Sequence, residues 1–165
     1  MAMHHTDNSE SSALEYFKFS LVILSILGFT ALLASDGLEE YMRIFMGVFM
    51  ITFAGFKLIG YKMFVMMFLS YDIIAKKFKA YAYAFPFIEL GLGLMSLADV
   101  SPTIRSVLII LVMGLGSIGV FKEVFINRSG IKCACLGNII KLPLYTVSLV
   151  EDISMVAMAL TMLVL

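Results

Sequence analysis

Five apolar runs, four clear and one shorter, limit what this chain can fold into. They lie at about 15–34, 41–60, 81–98, 104–123 and 146–165. Segments of about 17–25 mainly apolar residues have the length of a bilayer-crossing helix. Hydrocarbon leaves no water to satisfy an open strand edge, so such runs must be helical. Apolar residues reach 61% of the chain and the mean hydropathy is +1.00. Soluble domains hold roughly 45–50%, and a domain of this size has too little interior to hide the excess. The expected fold is all-α, a polytopic membrane bundle of four to five transmembrane helices. A polar, disordered tail is expected over 1–12 and the bundle over 13–165.

The breaks carry turn chemistry. "SDG" at 35–37 parts the first two runs, and "DVSPT" parts the third and fourth, with Pro102 suited to a first helical turn. The first run follows Asp7, Glu10 and Glu15 and not a basic segment, so it reads as a retained helix and not as a cleaved leader. The stretch "YKMFVMMFLSYDIIAKK", 61–77, is apolar for about ten residues and then charged. It suits an interfacial or re-entrant helix, or a bent continuation past Gly60, better than a crossing. Trp is absent, and the seven tyrosines fall near the span ends, as an interfacial belt would place them.

Charge sets the orientation. With five crossings, one side collects Lys18, Lys62, Lys76, Lys77, Lys79, Lys122, Arg128, Lys132 and Lys141. The other receives Arg43 and Arg105 beside Asp36, Glu39, Glu40 and Asp99. The positive-inside rule then puts the N-terminus and residues 126–143 in the cytoplasm; a crossing by 61–77 would move 126–143 outside. Acids and bases balance at net zero and no run of five like charges occurs, so nucleic acid is not an expected partner. The partners expected are the lipid bilayer and, open beside it, a second copy of the chain.

The only two cysteines, Cys133 and Cys135, share the polar break "GIKCACLGNIIKLP". A disulfide across one residue has awkward geometry, and strained disulfides exchange readily. Two adjacent thiolates also chelate soft ions such as Cu(I), Hg(II) or Zn(II), although two ligands leave a tetrahedral zinc site incomplete. Gly137 would let the backbone turn tightly, and Lys132 would favour the thiolate. Two inert loop cysteines are the plain alternative, but buried structural cysteines normally lie inside apolar runs. His4 and His5 are read as a frayed terminus.

Charges within the runs are the other candidates. Glu89 lies about eight residues into the third run, where a carboxylate is costly unless paired, protonated or facing water. Pro86 would loosen that helix and free a carbonyl. Lys57 is close to the same depth and can pair with Glu89, either as a structural tie or as part of a site. Glu151 and Asp152 open the last run. "SLVE" matches a capping box with Ser148 at the N-cap, alone or together with a role in proton or cation handling. Asp72 reads as an interfacial charge balanced by Lys76 at i+4. The 13 methionines read as packing. No G-x-S-x-G, H-E-x-x-H or G-K-[ST] motif occurs.

Three stretches, "FMGVFMITFAGFKLIG", "YDIIAKKFKAYAYAFPFIELGLGLM" and "KCACLGNIIKLPLYTVSLVEDISMVAMAL", resemble the MauE/DoxX group of redox-associated membrane proteins. They are closest to a branch often fused behind a cytoplasmic heavy-metal-associated domain, whose cysteine motif residues 1–12 lack. The resemblance implies a small helical bundle in the bacterial inner membrane. Methylamine-utilisation members imply disulfide formation in a secreted partner, and DoxX-like members imply thiol redox balance. The metal-domain branch implies soft-metal handling with a metallochaperone. By position it implies catalytic roles for Cys133, Cys135, Glu89 and Glu151, with Lys57, Asp72, Gly137 and Asp152 supporting. Cys133 and Cys135 are the metal ligands in the soft-metal reading. A membrane quinone or a soft metal ion is the cofactor these readings leave open, and a non-catalytic scaffold is the third reading.

Overall fold

The structure is a computed structural model that describes residues 7–35, 37–125 and 144–164. Those residues form seven helices in chain order: α1 (Asp7–Leu33), α2 (Gly37–Ile59), α3 (Tyr61–Tyr71), α4 (Ile73–Lys77), α5 (Lys79–Leu97), α6 (Pro102–Phe125) and α7 (Leu144–Val164). Among the described residues there are no strands. Four helices, α1, α2, α5 and α6, are long and apolar enough to cross a membrane. The expected all-α polytopic bundle is therefore what the chain forms.

Each break has a physical reason. Gly37 takes φ +87, a left-handed backbone that glycine adopts without strain, and it opens α2. Glu40 reaches back to accept from the Ser35 N–H at 3.0 Å, which braces the turn. Between α5 and α6 two residues that are not glycine, Asp99 and Ser101, take φ +52 and +41, and Pro102 then begins α6. α1 begins at Asp7, inside the stretch 1–12. Acids in a first turn, here Asp7 and Glu10, favour that extension through the helix dipole.

The helices run antiparallel in sequence order. Going along α2, Arg43 meets Ser96 and Leu97, Gly47 meets Gly93, and Lys57 meets Glu89 on α5, in reverse order. Gly116 faces Asp152 and Arg105 reaches Met162, so α7 lies antiparallel along α6 and shares its depth. Its 21 residues span roughly 31 Å at the helical rise, enough for a fifth pass. The 11 residues of α3 do not reach across. Instead Phe64 and Phe68 stack on Phe85 of α5, with ring centroids 6.0 and 4.6 Å apart. The segment 61–77 is thus no crossing of its own: α3 continues α2 past Gly60, where Gly60 donates to Phe56 and Phe64 donates to Gly60, and runs on along α5 before breaking at Asp72. Lys62, Lys76, Lys77, Lys79 and Lys122 consequently gather at one end of the bundle, and Arg43, Asp99 and Arg105 at the other.

Inside and outside are inverted relative to a soluble protein. Leu24, Phe17, Leu111 and Ile118 are more than half exposed, while Lys57, Glu89, Arg105 and Glu151 are buried. Only a hydrocarbon surround makes that arrangement favourable. Met46, Met50, Met113 and Met155 are fully enclosed in the core, as packing residues are.

α2 and α5 approach each other closely at two glycines. A β-carbon on Gly93 would lie 2.9 Å from the Ile51 side chain and 3.1 Å from the Gly47 carbonyl, whereas at Gly91 and Gly55 it would meet nothing within 4 Å. Small residues let membrane helices close on one another in this way. Gly93→Ala should lower the midpoint of thermal unfolding in detergent, at a cost of roughly 1–3 kcal/mol for overpacking. Gly91→Ala should leave it unchanged or raise it by up to about 1 kcal/mol through helix propensity. Equal behaviour of the two variants would contradict the close approach.

Candidate functional site

Helical periodicity carries three charged residues to one place. On α2 the buried stripe Met46, Phe49, Met50, Phe53, Ala54 runs on to Lys57 at spacings of three and four. On α5 the stripe Ala82, Phe85, Pro86, Glu89, Leu92, Gly93 holds Glu89 at its middle. On α7 Val147, Glu151, Met155 and Ala159 repeat every four residues. Because each charged residue occupies a core position of its own helix, assembling the bundle brings all three together.

The Lys57 Nζ donates to both carboxylate oxygens of Glu89, each at 2.7 Å, and to Oε1 of Glu151, also at 2.7 Å. An ammonium has three donors, and three carboxylate oxygens surround this one. The Lys57, Glu89 and Glu151 side chains are 3%, 0% and 2% exposed, so the cluster is sealed from solvent. The rings of Phe85 and Phe64 lie 5.2 and 5.9 Å from Nζ and add a cation–π contribution. Because both carboxyls accept from the same Nζ at 2.7 Å, their bound oxygens lie no further apart than twice that distance. Asp152, next to Glu151, is 6% exposed. Its Oδ2 fills the space beside Gly116, 3.2 Å from where a β-carbon there would stand.

The expected Lys57–Glu89 pair is present, and Glu151 completes it. Its reading as a helix-capping residue is corrected: α7 starts at Leu144, so Ser148 and Glu151 both lie inside the helix. Pro143 precedes that start in the sequence, which suits a helix N-terminus and moves the first turn upstream of "SLVE". Asp72 is corrected as well, being 1% exposed and not an open interfacial charge. Its Oδ1 accepts from the N–H groups of Ile74 and Ala75 at 2.9 and 2.7 Å, which makes it the N-cap of α4. Burial pushes its carboxyl above the ordinary value, opposed by those two N–H donors and by Lys76. Pro86 sits inside α5, and the Tyr61 hydroxyl donates to the nearby Tyr83 carbonyl at 2.9 Å. Cys133, Cys135 and Gly137 lie outside the described residues. In sequence they belong to the 126–143 connection from Phe125 to Leu144, and Glu151 follows seven residues into α7, roughly 10 Å along its axis.

A second charged cluster, at the other end, escaped the sequence reading. Arg105, taken there for a flanking charge, is fully buried. Its Nη1 donates to Asp99 at 3.2 Å, and Asp99 also pairs with Arg43 at 3.5 Å. Arg43 in turn donates to the Ser96 and Leu97 carbonyls that end α5. The place of Arg105 in the first turn of a span was the available signal, because a side chain there can turn inward as readily as toward the interface. Among the described residues no group of three His, Cys, Asp or Glu is placed to hold a metal ion.

Removing Lys57 would leave two buried carboxyls without their ammonium. Breaking a buried pair from one side costs on the order of 3–5 kcal/mol. Lys57→Met should therefore reduce the folded, monodisperse fraction after mild heating far more than Lys62→Met on exposed α3 surface. The triple variant Lys57→Met/Glu89→Gln/Glu151→Gln should recover much of the loss. If the single variant matches the wild type on size-exclusion, the cluster is not a constraint on the fold.

Comparison with known proteins adds the family. No protein of curated function and no solved structure matches the chain. The family model for the methylamine utilisation protein MauE matches residues 35–165, which take in α2 to α7, the buried triad and both cysteines. This multi-pass membrane protein belongs to the MauE family.

Proposed function

We propose that the protein is a membrane thiol–disulfide component that matures a partner protein, with Cys133 and Cys135 as the exchanging pair. The observation that carries this reading is one of position. The connection bearing both thiols joins α6 to α7 at the end of the bundle nearer the Lys57–Glu89–Glu151 cluster. In the forward step two thiols of the partner become a disulfide while the Cys133–Cys135 disulfide becomes a dithiol. The pair is restored by passing two electrons and two protons to a membrane quinone, which leaves as quinol. By the lysine count, this end faces the cytoplasm of a bacterial inner membrane. Thiols there are held reduced, so the oxidising equivalents come through the lipid phase, which a quinone supplies.

A soft-metal reading would use the same thiols, with Glu89 and Glu151 balancing the ion. Lys57 Nζ already occupies the centre of those oxygens at 2.7 Å, which favours proton and electron chemistry over a bound cation at the triad.

Trapping in living cells tests the proposal. An impermeant maleimide is applied before and after permeabilisation, with and without reductant. The expected result is labelling of Cys133 and Cys135 only after permeabilisation, with a fraction that also needs reductant. Purified protein should form quinol from a dithiol donor and a soluble quinone, and Cys133→Ser should lower that rate to the uncatalysed level. Thiols labelled in full without reductant, together with no quinol formed, would overturn it.

A further inference from the structure

The triad does not balance. Lys57 brings one positive charge, while Glu89 and Glu151 bring two carboxyl groups, and the described residues supply these two with no other cation within ion-pair distance. Among the described residues, the groups facing the cluster from the other elements are acidic, neutral or apolar. Tyr81 on α5, near Asp72, Asp152 and Lys57, is neutral in its ordinary form. Asp72 at the α3–α4 junction is another acid, Phe64 of α3 is apolar, and α6 presents Gly116. A net negative charge enclosed in a bundle within hydrocarbon is strongly unfavourable. The sharing of one Nζ by Glu89 and Glu151, each at 2.7 Å, adds a second, geometric reason. Two carboxyls held on one site repel when both are ionised, which favours keeping a proton on one of them.

We propose that Lys57, Glu89 and Glu151 form a proton-binding site that holds one proton on the carboxyl pair in the resting protein. Lys57 fixes the position of that proton by holding both oxygens of Glu89 and one oxygen of Glu151. The remaining oxygen of Glu151 is the one through which the proton enters and leaves, since Nζ takes the others. Each glutamate comes from a different helix, so gain or loss of the proton changes the tie between α5 and α7. The site stands on the charge count and the contacts alone. Where the thiol reading above holds, it also offers a place for one of the two protons that dithiol oxidation releases.

Infrared spectroscopy of the purified full chain reads the proton directly. The protein is held at pH 7 in a detergent without ester carbonyls, so that only protonated carboxyls absorb in the carboxylic acid carbonyl region. The wild type should have such a band, and it should shift in heavy water. Glu89→Gln and Glu151→Gln should each remove it, Glu151→Asp should move it, and Asp72→Asn and Asp152→Asn should leave it in place. A Cys133→Ser/Cys135→Ser variant should keep the band, which separates this site from the thiol reading. No band in the wild type would overturn the proposal even if the glutamine variants fail to fold. So would a band that disappears with Asp72→Asn or Asp152→Asn and survives both glutamine substitutions.

Discussion

One buried ammonium sets the register of this bundle. Lys57 is held by Glu89 from α5 and by Glu151 from α7, each at 2.7 Å, so three helices meet at a single charge. In water such an arrangement would compete with hydration. In hydrocarbon the alternative is an unpaired ion facing lipid, which costs at least about 2.5–3.5 kcal/mol per charge at the centre of a span. Turning any one of the three helices by one residue, about 100° at 3.6 residues per turn, would expose a charge to that environment. The apolar residues cannot supply this discrimination, because a leucine facing lipid is nearly as well placed as one facing another helix.

The rest of the packing arranges itself around that point. Gly47 and Gly93 bring α2 and α5 close enough for Lys57 to reach Glu89. Continuing from α2, α3 lays Phe64 and Phe68 against Phe85 and closes the cluster from its own end with aromatic faces. Gly116 leaves room on α6 for the Asp152 carboxylate. At the far end Arg43 and Arg105 share Asp99, and Arg43 satisfies the last carbonyls of α5. The bundle is thus tied by charge at two levels and by apolar packing between them. Without the upper tie α7 would be held to α2 by few contacts, since its main neighbour is α6.

Much of this could be read from the sequence, for definite reasons. Span length and apolarity are nearly sufficient in a membrane protein, where backbone bonding leaves helices as the only choice for such runs. The pairing of Lys57 with Glu89 followed from depth alone, because an isolated charge at that depth needs a partner. Glu151 was harder to place. "SLVE" satisfies the capping pattern by residue type, and only the helix start at Leu144 reveals that Glu151 is two turns inside. Asp72 misled in the opposite sense: its spacing to Lys76 suggests a surface pair, whereas the chain break at α4 turns its carboxylate onto two backbone N–H groups. Arg105 was obscured by its place beside Pro102, since position along the chain does not tell which way a side chain turns.

What separates the triad from an ordinary structural ion pair is its stoichiometry. A tie between two helices needs one acid for one base, and a second acid on the same ammonium weakens it by repulsion unless something neutral or positive intervenes. Retaining Glu151 at 2% exposure beside Glu89 at 0% is therefore unfavourable for a scaffold and suits a site whose charge changes. Aromatic walls at 5.2 and 5.9 Å keep water from screening the imbalance, and among the described residues no further cation pairs with Glu89 or Glu151, so the countercharge proposed is a small ion taken up by the carboxyls themselves. A proton fits, because it needs no coordination shell and Lys57 already fills the space that a metal ion would require.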